Sequence, residues 1–294
     1  MAVQERPLVS IGLPVYNGEA YLSQALDSLL AQTYANFELN ISDNASTDRT
    51  REICREYATK DRRIRYHRNP ENIGFCGNWQ RALRLATGPF FMWAADDDLW
   101  SENYLDVLTD CLVSRPNAIL AAGRTFYIDW KGDICDYLPD DAPKLEPEGN
   151  LETAKQLLCQ HATGWLHGLY RRKDLMRVAG SFFKADPWGA DIVFLLDLCL
   201  SREVVGSNEA LMYKRVMAQS GPKTPRSRVR WQRWFAGALM QVILKKSRSL
   251  DDTMELLLAY VLYLKWMYFK KGVREWALLW TRAGYQWMRG EDHP

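Results

Sequence analysis

The first hundred residues of this 294-residue chain are constrained most by an alternation. Short apolar, β-branched runs at 8–13, 37–41, 64–67 and 90–95 read as strands. Segments 20–33, 49–57, 77–86 and 101–113 follow them and read as helices. The clearest is 20–33, where Leu22, Ala25, Leu26, Leu29 and Leu30 fall on one helical face. Four strand–helix repeats in succession predict an α/β fold, with a mostly parallel central sheet flanked by helices. Further on, 132–150 reads as a loop or insertion rich in Pro, Asp and Gly. A helix is expected at 151–160, a short strand at 165–170 and a helix at 190–200. From 226 onward the pattern is nearly all helical, after a hinge-like Ser220-Gly-Pro-Lys-Thr-Pro225.

The net charge of +2 gives no support to a nucleic-acid binder, but it hides a split. Residues 214–294 hold 16 Lys and Arg against 6 Asp and Glu, leaving 22 against 30 in the body. The same tail carries six of the twelve tryptophans. Residues 1–7 lack the apolar stretch of a signal peptide. The longest apolar run, 256–264, is far short of the ~20 residues that span a bilayer. The six cysteines form no C-x-x-C pair and read as buried free thiols in a reducing cytosol.

In parallel α/β sheets, ligands gather at the carboxyl ends of the strands. Three polar clusters fall there: Pro14-Val-Tyr-Asn-Gly18, Asp43-Asn44 and Asp96-Asp97-Asp98. No G-x-G-x-x-G and no P-loop accompanies them, which argues against dinucleotide dehydrogenases and P-loop ATPases. Three adjacent carboxylates repel one another and suit a hard divalent cation such as Mg²⁺ or Mn²⁺. The competing reading is an acidic cap on the helix expected at 101–113.

Five motifs then resemble the family 2 glycosyltransferases. They are Val9-Ser-Ile-Gly-Leu-Pro-Val-Tyr-Asn-Gly18, Leu26-Asp-Ser-Leu-Leu-Ala-Gln-Thr-Tyr34, Phe37-Glu-Leu-Asn-Ile-Ser-Asp-Asn-Ala-Ser-Thr-Asp48, Asn69-Pro-Glu-Asn-Ile-Gly74 with Asn78, and Ala95-Asp-Asp-Asp-Leu-Trp100. The resemblance is dense over 7–110 and loose over 160–220. It implies a GT-A fold and sugar transfer from a nucleotide-sugar with inversion. On that resemblance, 1–220 is the catalytic domain, with a nucleotide-sugar half to about 110 and an acceptor half beyond it. Residues 221–294 are a helical C-terminal extension.

Carried over by motif, Pro14, Tyr16, Asn17, Asp43, Asn44, Asn78, Asp96 and Asp97 bind the nucleotide-sugar. Tyr16 packs on the base, and Asp43 accepts from a pyrimidine imide. Asp98, with Asp96, holds Mn²⁺ or Mg²⁺. Ala95 stands where many relatives carry Asp, so the triplet's register against the motif is open by one. Asp191 matches the general base, the competing role being a charge at a helix N-terminus, with Asp186 as the second candidate for the base. Trp188, His167 and Arg215 are placed on the acceptor side. Met217 replaces a histidine common in relatives, and Lys214 is read as a solvated strand edge.

The donor is expected to be UDP-linked, with dTDP- and GDP-sugars as alternatives, and the acceptor a saccharide or lipid-linked saccharide. The basic, aromatic tail 226–294 either rests on an anionic membrane surface or packs on the body or on a second copy as a homodimer. A cytoplasmic protein, peripheral on the inner face of the membrane, follows from that reading. The rival functions are a sugar-nucleotide nucleotidylyltransferase and a non-catalytic sugar-nucleotide or membrane-surface binder.

Overall fold

A computed structural model describes residues 6–146, 149–180, 189–216, 225–247 and 249–268; side chains are described except those of 225–234 and 262–268. The elements in chain order begin β1 (Val9–Val15), α1 (Leu22–Leu30), β2 (Phe37–Asp43), α2 (Thr50–Lys60), β3 (Ile64–Arg68), α3 (Gly74–Leu85) and β4 (Phe90–Trp93). The chain continues with β5 (Leu99–Trp100), α4 (Tyr104–Ser114), β6 (Ala118–Ile128), α5 (Asn150–Gln160), a 3-10 helix (Thr163–His167), β7 (Leu169–Arg171), α6 (Arg172–Val178), α7 (Ala190–Ser201) and β8 (Glu203–Arg215). Two further helices follow, α8 (Pro225–Lys246) and α9 (Leu250–Tyr268).

Among the described residues, eight strands form one sheet in the order β3-β2-β1-β4-β7-β6-β8-β5. The β3-β2-β1-β4 block and the β6–β8 pair are parallel, while β7 and β5 pair antiparallel with their neighbours. The expected α/β architecture is present, with helices on both faces. Strand residues alternate between two cores, as the two-residue strand period requires. Val9, Ile11, Leu13, Phe90 and Met92 join α1, α2 and α4 on one face. Phe91 and Trp93 join α3, α5 and α7 on the other. The second core runs on into Phe235, Leu239 and Ile243 of α8 and Leu256, Ala259 and Tyr260 of α9. Lys155 of α5 adds an ion pair to Glu255 of α9 at 2.8 Å.

Three elements differ from expectation. The helix expected from 101 starts at Tyr104, because Leu99 and Trp100 pair with β8. The acidic triplet therefore does not cap that helix. The strand expected at 165–170 is a 3-10 turn followed by the three residues of β7. Glycines permit this close packing: a Cβ at Gly164 would lie 2.0 Å from Thr125 Oγ1, and one at Gly168 would lie 2.3 Å from the Ala121 carbonyl oxygen. Finally, Glu203–Arg215 forms one long strand, β8, where the sequence marked only a strand edge at Lys214.

Pro14 is accommodated inside the sheet because of where it sits. Gly12 O accepts from Ala94 N beside β4, and Val15 O accepts from Asn44 N beside β2. Alternation turns Pro14 toward the β4 side, where pairing has already ended at Gly12. Its missing N–H leaves no gap in the ladder.

Candidate active site

The β1–α1 and β2–α2 loops are stitched together at the carboxyl end of the sheet. Asn17 adopts φ +55, a conformation asparagine tolerates, and its N–H donates to Ser46 Oγ at 3.0 Å. Its Oδ1 accepts from Thr47 N at 2.9 Å. Gly18 N donates to Thr50 Oγ1 at 2.9 Å. Above this seam Tyr16 stands 48% exposed, an aromatic face open to a ligand.

Asp43 lies beneath the seam and is fully buried. It accepts from Ser46 N (2.9 Å), Tyr66 OH (2.6 Å) and Arg68 Nη1 (3.1 Å). A carboxylate has about four lone-pair sites, so these contacts use all but one. Asn44 and Asn78 are still more committed. Asn44 donates to Asn72 Oδ1 and Gly74 O and accepts from Asn69 Nδ2 and Ile73 N. Asn78 donates to Ser42 O (2.8 Å) and accepts from Ser42 Oγ (2.7 Å) and Asn69 Nδ2 (3.2 Å). Both asparagines are buried and tie the loop after β3 to the end of β2. They shape the floor of the site through other residues.

The Asp triplet emerges where β4 ends. Asp98 is 2% exposed, and its Oδ1 accepts from the Arg215 amide at 2.8 Å. Asp96 and Asp97 are partly open. Asp96 reaches across to the β1 loop, where a Cβ on Gly18 would lie 2.2 Å from its Oδ2; glycine is needed there for space. Burial and the neighbouring Asp97 charge push Asp96 up to about 7. Burial, with Asp97 and Asp96 beside it, pushes Asp98 up to about 7. Asp97 is raised by burial as well. Crowded all-oxygen donors of this kind fit a hard divalent cation. Among the described residues no three His, Cys, Asp or Glu side chains form a complete cage. That is compatible with Mg²⁺-type sites, in which one or two carboxylates are supplemented by substrate phosphates and water.

Asp191 lies in the first turn of α7, just after Gly189, whose φ of +79 makes the sharp entry. Asp191 Oδ1 accepts from Ile192 N at 2.9 Å, and burial raises its pKa. Nearby Tyr127 of β6 donates to Asp140 Oδ2 at 2.6 Å. Asp140 exchanges backbone hydrogen bonds with Thr125, which straps the 129–146 segment onto β6. Lys214 of β8 donates to Thr163 Oγ1 at 2.8 Å and is half-buried, not a solvated edge.

Two residues placed on the acceptor side serve the framework. Arg215 is 4% exposed, with its guanidinium spent on Asp97 O (2.9 Å), Asp129 O (2.7 Å) and Gln24 Oε1 (3.0 Å) and stacked over Tyr21 at 4.2 Å. It clamps the triplet to α1 instead of facing an acceptor. His167 is buried, its Nδ1 donates to Trp93 O at 3.1 Å, and burial drives its pKa down to about 3. The imidazole is therefore neutral. Trp188, Asp186 and Met217 lie outside the described residues.

The sequence reading missed Tyr66, Arg68, Tyr127 and Asp140. Tyr66 and Arg68 carried a usable signal, since β3 sits beside β2 and its last residues end level with Asp43. Tyr127 and Asp140 carried none, because β6 itself was not anticipated.

Comparison with known proteins fits this geometry. Residues 10–175, more than half of the chain, match the profile of Glycosyl transferase family 2. A relative from Escherichia coli, the UDP-Glc:alpha-D-GlcNAc-diphosphoundecaprenol beta-1,3-glucosyltransferase WfgD, is 40% identical over 100 residues, covering 34% of this chain and 39% of WfgD. The chain spans about half the length, or less, of the curated relatives it matches. Among solved structures, S. aureus TarS 1-349 in complex with UDP-GlcNAc superposes with a TM-score of 0.68 at 17% identity, covering 90% of this chain and 74% of that one. The mannosyltransferase PcManGT from Pyrobaculum calidifontis, in complex with GDP-Man and Mn²⁺, superposes with a TM-score of 0.54 at 18% identity, covering 99% and 77%. The shared architecture is the GT-A fold.

Proposed function

The chain belongs to glycosyl transferase family 2, and on that premise we propose that it moves a hexosyl group, with inversion, from a UDP-sugar to a hydroxyl of a saccharide or lipid-linked saccharide. The observation that carries the reading is the convergence of two unlike carboxylate sets at one end of the sheet. The crowded triplet follows β4, and a half-buried aspartate lies in the first turn of α7. The UDP-GlcNAc held by TarS and the diphosphoundecaprenol-linked acceptor in the name of WfgD support the donor and acceptor classes.

In this reading Tyr16 stacks on the base and the open lone pair of Asp43 takes the imide N–H. Asp98, with Asp96, holds Mn²⁺ or Mg²⁺, a metal class also present in PcManGT. A bound cation supplies positive charge that stabilises the departing diphosphate. Asp191 accepts the proton of the acceptor hydroxyl while its oxygen bonds to the anomeric carbon. The bond from that carbon to the diphosphate oxygen breaks on the opposite face, releasing the nucleoside diphosphate. One base suffices for a single displacement, which inverts the centre.

A membrane role for the tail receives no support from α8 and α9, whose described apolar faces pack on α5 and α7. Among the described residues no helix is long and apolar enough to cross a membrane.

A thermal-shift screen of nucleotide-sugars with and without Mn²⁺ tests the donor site, because a ligand that binds the native state raises its stability. UDP-sugars with Mn²⁺ are expected to raise the melting temperature. The increment should be larger at pH 8 than at pH 5, where protons compete for Asp96 and Asp98. Asp98→Ala should abolish the Mn²⁺-dependent part; an undiminished increment would move the metal elsewhere.

A further inference from the structure

We propose that Lys214 is a positioning residue for the acceptor-side base: its ammonium, tethered to Thr163, is the counter-ion that keeps Asp140 and Asp191 an anionic wall beside the Asp triplet. The inference rests on Asp191 as the base and adds a residue to that machinery.

Geometry places the lysine beside Tyr127 and, through it, Asp140. Lys214 is the β8 residue directly opposite Tyr127 of β6. Tyr127 in turn holds Asp140 through its hydroxyl at 2.6 Å. The Thr163 hydroxyl fixes the ammonium at 2.8 Å from the other side, from the first residue of the 3-10 helix. A lysine has three donors, and the threonine takes one. Its backbone neighbour Arg215 bonds Asp98 through the main chain, so the same two residues of β8 serve both carboxylate sets.

The electrostatics agree with that placement. The ionisable groups that feel Lys214 are Asp97 and Asp98 from the β4–β5 loop, Asp140 from the strap on β6, Asp191 from α7 and His167 from the 3-10 helix. Tyr127 of β6 also couples to both Asp140 and Asp191. For each of the four aspartates burial favours the neutral acid, and Lys214 opposes it. Arg215 adds its charge only for Asp97. With Lys214 removed, burial acts on Asp140 and Asp191 without the lysine to oppose it, and a protonated Asp191 cannot accept a proton from the acceptor hydroxyl.

The test uses the full-length protein carrying ¹³C-labelled aspartate carboxyls, with Asp140→Asn and Asp191→Asn assigning the two signals. In Lys214→Met the titration midpoints of both carboxyls should rise by at least about one unit, a tenfold change in proton affinity. Lys214→Arg, which retains the charge, should leave them near wild type. In sugar-transfer assays Lys214→Met should lower kcat about 10–100-fold at unchanged donor KM, and shift the acid limb of the pH profile upward. Unmoved midpoints in folded Lys214→Met overturn the proposal. So does a raised donor KM with unchanged kcat, which would put Lys214 on the donor diphosphate. Thr163→Val, which cuts the tether and keeps the charge, serves if Lys214→Met does not fold. Smaller upward shifts support the proposal there, and unmoved midpoints overturn it. The titration requires no turnover, so absence of sugar transfer would overturn the enzymatic reading while the counter-ion is still judged by the midpoints.

Discussion

The proposed donor floor and the proposed acceptor wall treat buried polar groups in opposite ways. Around β2 and β3, Asn44, Asn69 and Asn78 bond one another and nearby backbone, and Asp43 holds three donors. Between β4, β6, β8 and α7, by contrast, Asp96, Asp98, Asp140 and Asp191 are all raised by burial, and for the last three the charge of one lysine, Lys214, opposes it. Such a network, matched apart from Asn69 Oδ1 and the open lone pair of Asp43, is rigid and offers a reactant little else. An under-compensated set of carboxylates is unstable by itself and gains from a cation or a proton. The contrast separates the residues that shape the pocket from those that react in it.

The largest expected effect breaks the acceptor side. Asp191→Asn should reduce turnover by about 10²–10⁴-fold, the usual worth of a general base, with donor binding by calorimetry unchanged. In the wild type the base works above its pKa and is lost as pH falls through it. Because burial raises that pKa, the acid limb of kcat should lie above the ordinary carboxylate range. Turnover at wild-type level would move the base to Asp186. A mutation in the donor floor should fail differently. Asn78→Ala strips partners from Ser42 and Asn69 and should cost about 3 kcal/mol of unfolding free energy in a denaturant titration. If stability held and only catalysis fell, Asn78 would belong with the reacting groups.

The sequence revealed each side of this contrast unequally. The four early strand–helix repeats were readable because their apolar periods are clean and each strand ends in polar residues. Strand β6 escaped because Ala118-Ile-Leu-Ala-Ala-Gly123 is a small-residue run with no alternation, and β8 because Ser207-Asn-Glu209 interrupts it. Between Gly123/Ser207 and Arg124/Leu211 the pairing register shifts, so those polar residues sit in an irregularity that no periodicity encodes. The positions of Asp43, the triplet and Asp191 followed from strand ends and motifs. That Asn44 and Asn78 spend their amides on each other's loops did not, because the partners lie 25 to 36 residues apart. Lys214 looked like an edge residue because its partner Thr163 lies 51 residues away in the chain, where no local pattern points to it.

The smallest expected effect bears on Asp43, the donor-floor residue assigned to ligand as well as to framework. Tyr66→Phe removes one of its three donors and leaves Arg68 and Ser46 N in place. A hydrogen bond to a charged group is worth about 1.5–3 kcal/mol, and the remaining ion pair moderates the loss, so about 1.5 kcal/mol of destabilisation is expected. The informative measurement is UDP affinity beside stability. The lost hydroxyl frees a second acceptor site on the carboxylate, and an imide N–H that uses Asp43 should bind at least as tightly as in wild type. Weaker UDP binding in proportion to the lost stability would show that Asp43 acts only through the fold. Retained or tighter binding in a less stable protein would make Asp43 the point where the satisfied floor meets the ligand.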